Sequence, residues 1–185
     1  MNSKEIPSEK KASFQGLVQI FTGEGKGKTS AALGTVVRAL GRGFRVCIVV
    51  FMKGNYPYSE WKFLSDIPGV TIARYGFNSF TNPAEVKPEE KRQAEEALAF
   101  AREAMLSRKY DLIVLDEINV ASGWGLIDVE AVVKLIHDRP PDVELVMTGR
   151  DAHPRLVELA DMVSEIHKIK HPYDKGILAR KGLDY

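Results

Sequence analysis

One cysteine in 185 residues, Cys47, excludes an internal disulfide framework and suits a reducing compartment, so a cytoplasmic location is expected. Cys47 sits inside the apolar run Val46-Cys47-Ile48-Val49-Val50, where it reads as a small core residue. No apolar run reaches the length of a membrane span. Charge of one sign is also missing: 26 Lys and Arg stand against 25 Asp and Glu, a formal net charge of +1. No strong field therefore points to nucleic acid or to a membrane surface, and neither is expected as a partner. The first residues are polar and mixed in charge and lack the apolar core of a signal peptide. Residues 1–14 are expected to be a flexible tail, with ordering over a ligand or partner as an open alternative. Tryptophan is scarce too, with only two residues. There is no internal repeat or low-complexity block.

What is present is a phosphate-binding signature. Residues 22–30 read Thr-Gly-Glu-Gly-Lys-Gly-Lys-Thr-Ser, between the apolar run 17–21 and the segment Ala31-Ala32-Leu33-Gly34. This is the strand, loop and helix context that a phosphate loop needs. Glycines let the backbone N–H groups approach phosphate oxygens, and the helix N-terminus adds positive potential. Lys28 is placed to reach phosphate, and Thr29 to put its hydroxyl on Mg²⁺. The pattern G-x-x-x-x-G-K-[ST] asks for glycine at position 22, where this chain has Thr22, so the register of the triphosphate is open at this point.

Apolar runs and amphipathic stretches alternate, which predicts a single α/β domain over residues 15–185, mostly parallel in its sheet and covered by helices on both faces. Strands are expected at 17–21, 45–51, 70–74, 112–115, 143–147 and 163–169. Helices are expected near 28–40, 58–64, 88–108, 126–137 and 154–159. The fourth strand ends in Asp116-Glu117, acids delivered to the carboxyl edge where open α/β sheets bind ligands. Such acids suit a hard divalent cation, and an acidic helix cap is the bland alternative. The loop 76–83 carries Phe77 and Phe80 among turn residues, fit either to line an apolar ligand site or to plug the core. Trp124 has the same two readings. His167 and His171 have the spacing of a helical metal pair, but their segment reads as strand followed by Pro172, which sets zinc aside.

Taken in order, these pieces resemble the phosphate-loop class of ATP:corrinoid adenosyltransferases, also called cob(I)yrinic acid a,c-diamide adenosyltransferases. The matching pieces begin with Thr22-Gly23-x-Gly25-Lys26-Gly27-Lys28-Thr29, Phe51-x-Lys53-Gly54, Gly76-Phe77 and Val114-Leu115-Asp116-Glu117. Thr148-Gly149-Arg150, Glu158-Leu159-Ala160-Asp161, Lys170-His171-Pro172 with Asp174 and Gly176, and Lys181-Gly182 complete the set. Thr22 agrees with that family.

The resemblance implies transfer of the 5′-deoxyadenosyl group of ATP to the Co(I) centre of a corrinoid, with release of triphosphate. The cobalt is the nucleophile, so no protein side chain is expected to act as one. It also implies a triphosphate held in reversed sense, Mg or Mn as the metal, a homodimer, and a flavoprotein as electron donor. The nucleotide site implied is Thr22, Gly23, Glu24, Gly25, Lys26, Gly27, Lys28, Thr29, Ser30 and Arg38. The metal site is Thr29 and Glu117, with Asp116 in support. Phe77 is expected on the lower face of the corrinoid; some relatives continue with Thr-Trp where this chain has Asn78-Ser79 and then Phe80, so either Phe80 replaces that tryptophan or the loop closes differently. Read from the residues alone, a small ATPase or nucleoside kinase remains an alternative, as does a non-enzymatic ATP switch.

Overall fold

The computed structural model describes residues 14–54, 56–77 and 82–184. The expected tail, residues 1–14, lies outside them except for Phe14, whose ring packs edge-on against Phe44 at 5.1 Å.

Six parallel strands form one sheet in the order β3-β2-β4-β5-β1-β6. They are β1 (Val18–Thr22), β2 (Val46–Val50), β3 (Val70–Arg74), β4 (Leu112–Asp116), β5 (Glu144–Thr148) and β6 (Met162–Glu165). The helices are α1 (Lys28–Gly41), α2 (Ser59–Ser65), α3 (Pro88–Leu106), α4 (Ile118–Gly123), α5 (Val129–Asp138) and α6 (Pro154–Leu159). Among the described residues, no helix is long and apolar enough to cross a membrane.

Strands β2, β4 and β5 are buried at every position, as continuous apolar runs in a two-faced sheet require. The side-chain alternation of period two divides the core. Val46, Ile48, Val50, Leu112, Val114 and Val146 face α1 and α2, meeting Ala32, Val36, Trp61 and Leu64. Cys47, Val49, Ile113, Leu115, Leu145 and Met147 face the other layer, where α3 contributes Ala94, Ala97, Ala101, Ala104 and Met105. Each fully buried Leu or Ile there contributes roughly 1.5–3 kcal/mol of transfer free energy. The small alanines of α3 let that helix lie close on the sheet. It begins at Pro88, and the Lys87 backbone N–H donates to the Glu90 carboxylate at 2.8 Å, closing a capping box.

Two sequence expectations need correction. The helix expected at 126–137 begins at Val129, because the Asp128 side chain accepts from the Glu130 N–H and fixes the start. Leu126 and Ile127 are buried in the connection before it. A six-residue helix, α4, also precedes it and was not foreseen. The last strand stops at Glu165 instead of running to Ile169. Its partner β1 ends at Thr22, paired with Glu165, and beyond that point there is no extended chain to pair with.

Candidate nucleotide and corrinoid site

All six strands run the same way, so their carboxyl ends share one edge. Following β1, the phosphate loop is held by its neighbours. The Gly25 N–H donates to the Ile166 carbonyl at 2.6 Å, and the Ile166 N–H to the Thr22 carbonyl at 2.8 Å. Thr22 ends the strand instead of opening a turn, which is why glycine is not needed there. Its hydroxyl accepts from the Ala152 N–H at 3.2 Å and ties the loop to the chain after β5.

The Lys28 ammonium folds back over the loop and donates to the Gly23 and Gly25 carbonyls, at 2.6 and 2.7 Å. Burial lowers its pKa below the ordinary lysine value. Glu117 and Glu24 oppose that shift, while Arg150 and Lys53 add to it. These five charged side chains therefore share one neighbourhood.

The acids at the end of β4 behave differently from each other. Asp116 is fully buried and saturated: one carboxylate oxygen accepts from the Thr29 and Thr148 hydroxyls, both at 2.8 Å. Its other oxygen accepts from the Lys53 ammonium at 2.7 Å. Glu117 turns out of the strand in the left-handed region, φ 66°, and becomes the N-cap position of α4. Its carboxylate is 22% exposed and lies 3.2 Å from Lys53. Burial alone would lower the Lys53 pKa, but Asp116 and Glu117 outweigh it and hold the ammonium above the usual lysine range.

From the sequence, Lys53 and Thr148 are pieces of the family resemblance without individual tasks, and Thr148-Gly149-Arg150 reads either as facing a ligand crevice or as a strand-to-helix turn. Each is a single polar residue just beyond or at the end of a buried strand. The register Val50↔Asp116 brings Lys53 to the acids, a relation that no local spacing displays.

Thr29, Asp116 and Glu117 offer only oxygen donors, which fits a hard divalent cation. Among the described residues, no group of three or more His, Cys, Asp or Glu is placed to hold a metal by itself. A cation here would therefore need oxygens from a phosphate substrate, the usual arrangement for Mg²⁺.

Glu24 and Lys26 turn outward, Glu24 to Arg150 at 3.2 Å and Lys26 to an ion pair with Asp184. Ser30 follows in the first turn of α1. Arg38 lies in the last turn, ten residues from Lys28 along the helix. At 1.5 Å per residue that is about 15 Å, so the structure does not bring Arg38 to the loop. None of the histidines is drawn into this network: His153 and His171 accept from the N–H groups of Arg155 and Tyr173 and cap short helical turns.

Phe77 is 43% exposed after β3. Its loop is locked against the loop carrying Lys53. The Gly54 N–H donates to the Tyr75 carbonyl at 3.1 Å. A Cβ on Gly76, whose φ is 107°, would lie 2.7 Å from the Met52 backbone. The rings of Tyr56 and Tyr58 pack nearby at a 50° tilt with centroids 4.8 Å apart, and the Lys53 ammonium lies 5.4 Å from the Tyr58 ring centre. Phe80 lies outside the described residues.

A phosphate loop after β1 of a parallel sheet, with an acid pair at the end of β4 one strand removed, defines the class as a phosphate-loop NTPase-like α/β protein. The fold is similar to a solved structure of the EssC ATPases 2 and 3 from Geobacillus thermodenitrificans, with TM-score 0.52 and 16% identity. That match covers 91% of this chain and 35% of the other, and it speaks for the fold alone. Residues 14–185 match the family described as ATP:corrinoid adenosyltransferase BtuR/CobO/CobP. The corrinoid adenosyltransferase of Escherichia coli (strain K12) is 34% identical over 171 residues, covering 92% of this chain and 86% of that protein. Corrinoid adenosyltransferase CobA of Salmonella typhimurium is 34% identical over 178 residues, with the same coverage of each. The chain belongs to the ATP:corrinoid adenosyltransferase family, whose members transfer the adenosyl group of ATP to a corrinoid.

Proposed function

We propose that the carboxyl edge of this sheet is where the transfer takes place, with ATP on the phosphate loop and the corrinoid over the loop that begins at Gly76. One observation carries this reading. The Lys28 loop and the Asp116–Glu117–Lys53 network share an edge, and the Phe77 loop is in backbone contact with the Lys53 loop. In the reaction, the electron pair of Co(I) forms a bond to the 5′-carbon, the bond from that carbon to oxygen breaks, and its pair leaves on triphosphate. No proton has to move, so the site needs no general base.

Each residue then binds, orients or excludes water. Residues 22–30 offer backbone N–H groups to the triphosphate, held in reversed sense so that the 5′-carbon faces the corrinoid. Lys28 leaves the loop carbonyls for phosphate oxygens. Thr29 and Glu117 would hold Mg or Mn, which supplies charge neutralisation at the triphosphate, and Asp116 fixes Thr29 and Lys53 from behind. Arg38, at the far end of α1, is carried as a nucleotide residue by the family resemblance alone.

The chain is read as a cytoplasmic homodimer. Ile169, Tyr173, Leu178 and Leu183 all stand mostly in solvent along the C-terminal segment, which supports a subunit contact there. A separate flavoprotein is assigned the reduction to Co(I). Burial pushes the lone thiol, Cys47, up to about 12, which leaves it a core residue with no part in the reaction. The chain is read as an N-terminal tail over residues 1–14 and one domain over residues 15–185.

The test is an anaerobic incubation with ATP, Mg²⁺ and a Co(I) corrinoid. Adenosylated corrinoid and triphosphate should appear in equal amounts. ADP and phosphate in their place would favour the ATPase or kinase reading.

Phe77 supplies a separate prediction. Its ring is assigned to the lower face of the corrinoid, where it keeps the lower ligand away. With ATP and a Co(II) corrinoid bound, Phe77→Ala should lose most of the four-coordinate signal in electron paramagnetic resonance while ATP affinity changes less than about twofold, under 0.5 kcal/mol. A full signal in the variant would make this loop merely structural.

A further inference from the structure

The chain after β5 is fixed more firmly than a simple turn requires. The Gly149 N–H donates to the Phe21 carbonyl at 3.2 Å, and the Asn119 side-chain amide donates to the Gly149 carbonyl at 3.3 Å. A Cβ on Gly149 would lie 2.9 Å from the Val120 backbone nitrogen, and φ there is 131°, so glycine alone allows the chain to pass so close to α4. Two residues beyond Arg150, the Ala152 N–H donates to the Thr22 hydroxyl at 3.2 Å. Arg150 is thus held on both sides, and β5 lies between β1 and β4. Its guanidinium reaches the phosphate loop, close enough for its charge to act on Lys28.

That guanidinium meets Glu24, a residue of the phosphate loop itself, at 3.2 Å. Both side chains are more than half exposed, at 59% and 61%. An exposed pair of this kind contributes about 0–1 kcal/mol, so it holds Arg150 weakly. A triphosphate offers several anionic oxygens spaced for the planar guanidinium fork. We propose that Arg150 is a further triphosphate-binding residue, parked on Glu24 in the free protein and transferred to the phosphate chain when it fills the loop. The assignment rests on the loop being the triphosphate site. It gives Arg150 a part in the chemistry as well as in binding. As the bond from the 5′-carbon to oxygen breaks, its electron pair adds negative charge to the leaving triphosphate. A fixed cation beside that group stabilises the charge where it develops.

A mere loop brace and a phosphate ligand predict different signs. If the Arg150–Glu24 pair only braced the loop, removing either partner would weaken binding. If Glu24 competes with phosphate for Arg150, removing Glu24 should strengthen it. The measurement is isothermal titration of the full chain with inorganic triphosphate and Mg²⁺. Arg150→Ala should bind roughly ten- to a hundred-fold more weakly, as expected for loss of a charge-assisted contact, with Arg150→Lys in between. Glu24→Gln should bind several-fold more tightly, and most of that gain should vanish in the double variant. Thermal unfolding of the single variants should stay near the parent, as the pair is exposed. Parent-like affinity in Arg150→Ala, or weaker binding in both single variants, would overturn the assignment and leave the loop reading intact. A parent chain that binds no triphosphate would remove both.

Discussion

Lys28→Ala should weaken ATP binding roughly ten- to a hundred-fold and abolish measurable adenosyl transfer. Losing one charge-assisted hydrogen-bonding group typically costs about 1.5–3 kcal/mol, which converts to that range. The structure adds a reason for the upper end. Lys28 already sits inside the bow of the loop, bonded to the Gly23 and Gly25 carbonyls. Without its ammonium those carbonyls turn a row of partial negative charge toward an incoming anion. Lysine also does more here than neutralise, because its fixed stem aims the charge along the start of α1. Arginine at this position should therefore not restore normal affinity. Isothermal titration with ATP and Mg²⁺ reads the effect, and unchanged affinity in Lys28→Ala would refute the assignment. The fold should survive the change, since Lys28 is only partly buried and carries no core packing.

The residues of the phosphate loop are contiguous, so their chemistry is legible in the sequence. Apolar runs likewise announce strands buried on both faces, and Pro88 with Glu90 announces the start of α3. Other features depend on register between distant segments. Lys53 follows β2 and Thr148 ends β5, and both meet at Asp116 only because β4 lies between those strands. A single lysine in one stretch and a single threonine in another carry no spacing to mark them. The end of β6 is illegible for a related reason. Apolar residues continue to Ile169, but the strand lasts only while β1 is extended beside it. Helix α4 was hidden because Glu117 takes up the sharp change of direction in one left-handed residue, a conformation composition does not favour. Thr22 is the converse case. It looks like a defect in the glycine pattern, and its hydroxyl proves to be the anchor for the Ala152 N–H.

The same network separates the two adjacent acids by experiment. Asp116→Ala should lower stability by about 3–5 kcal/mol, the usual result of stripping one partner from a buried ion pair. It leaves the Lys53 ammonium without its nearest carboxylate, and the Thr29 and Thr148 hydroxyls without their shared acceptor. For a chain of this size each kcal/mol moves Tm by roughly 2–4 °C, so a fall of about 6–20 °C is expected. Glu117→Gln is a different perturbation. Its side chain is partly exposed, the amide keeps the shape, and Asp116 still neutralises Lys53. Stability should change by less than about 1 kcal/mol, as for a change at an exposed charge pair. Transfer should instead fall most at limiting Mg²⁺ and recover partly at saturating Mg²⁺, because the carboxylate's assigned task is to hold the cation. Thermal unfolding and a Mg²⁺ titration of the initial rate read the two effects independently. Equal losses of stability in both variants, or a Glu117→Gln enzyme indifferent to Mg²⁺, would mean that the buried acid and the exposed acid do not divide the work as their environments indicate.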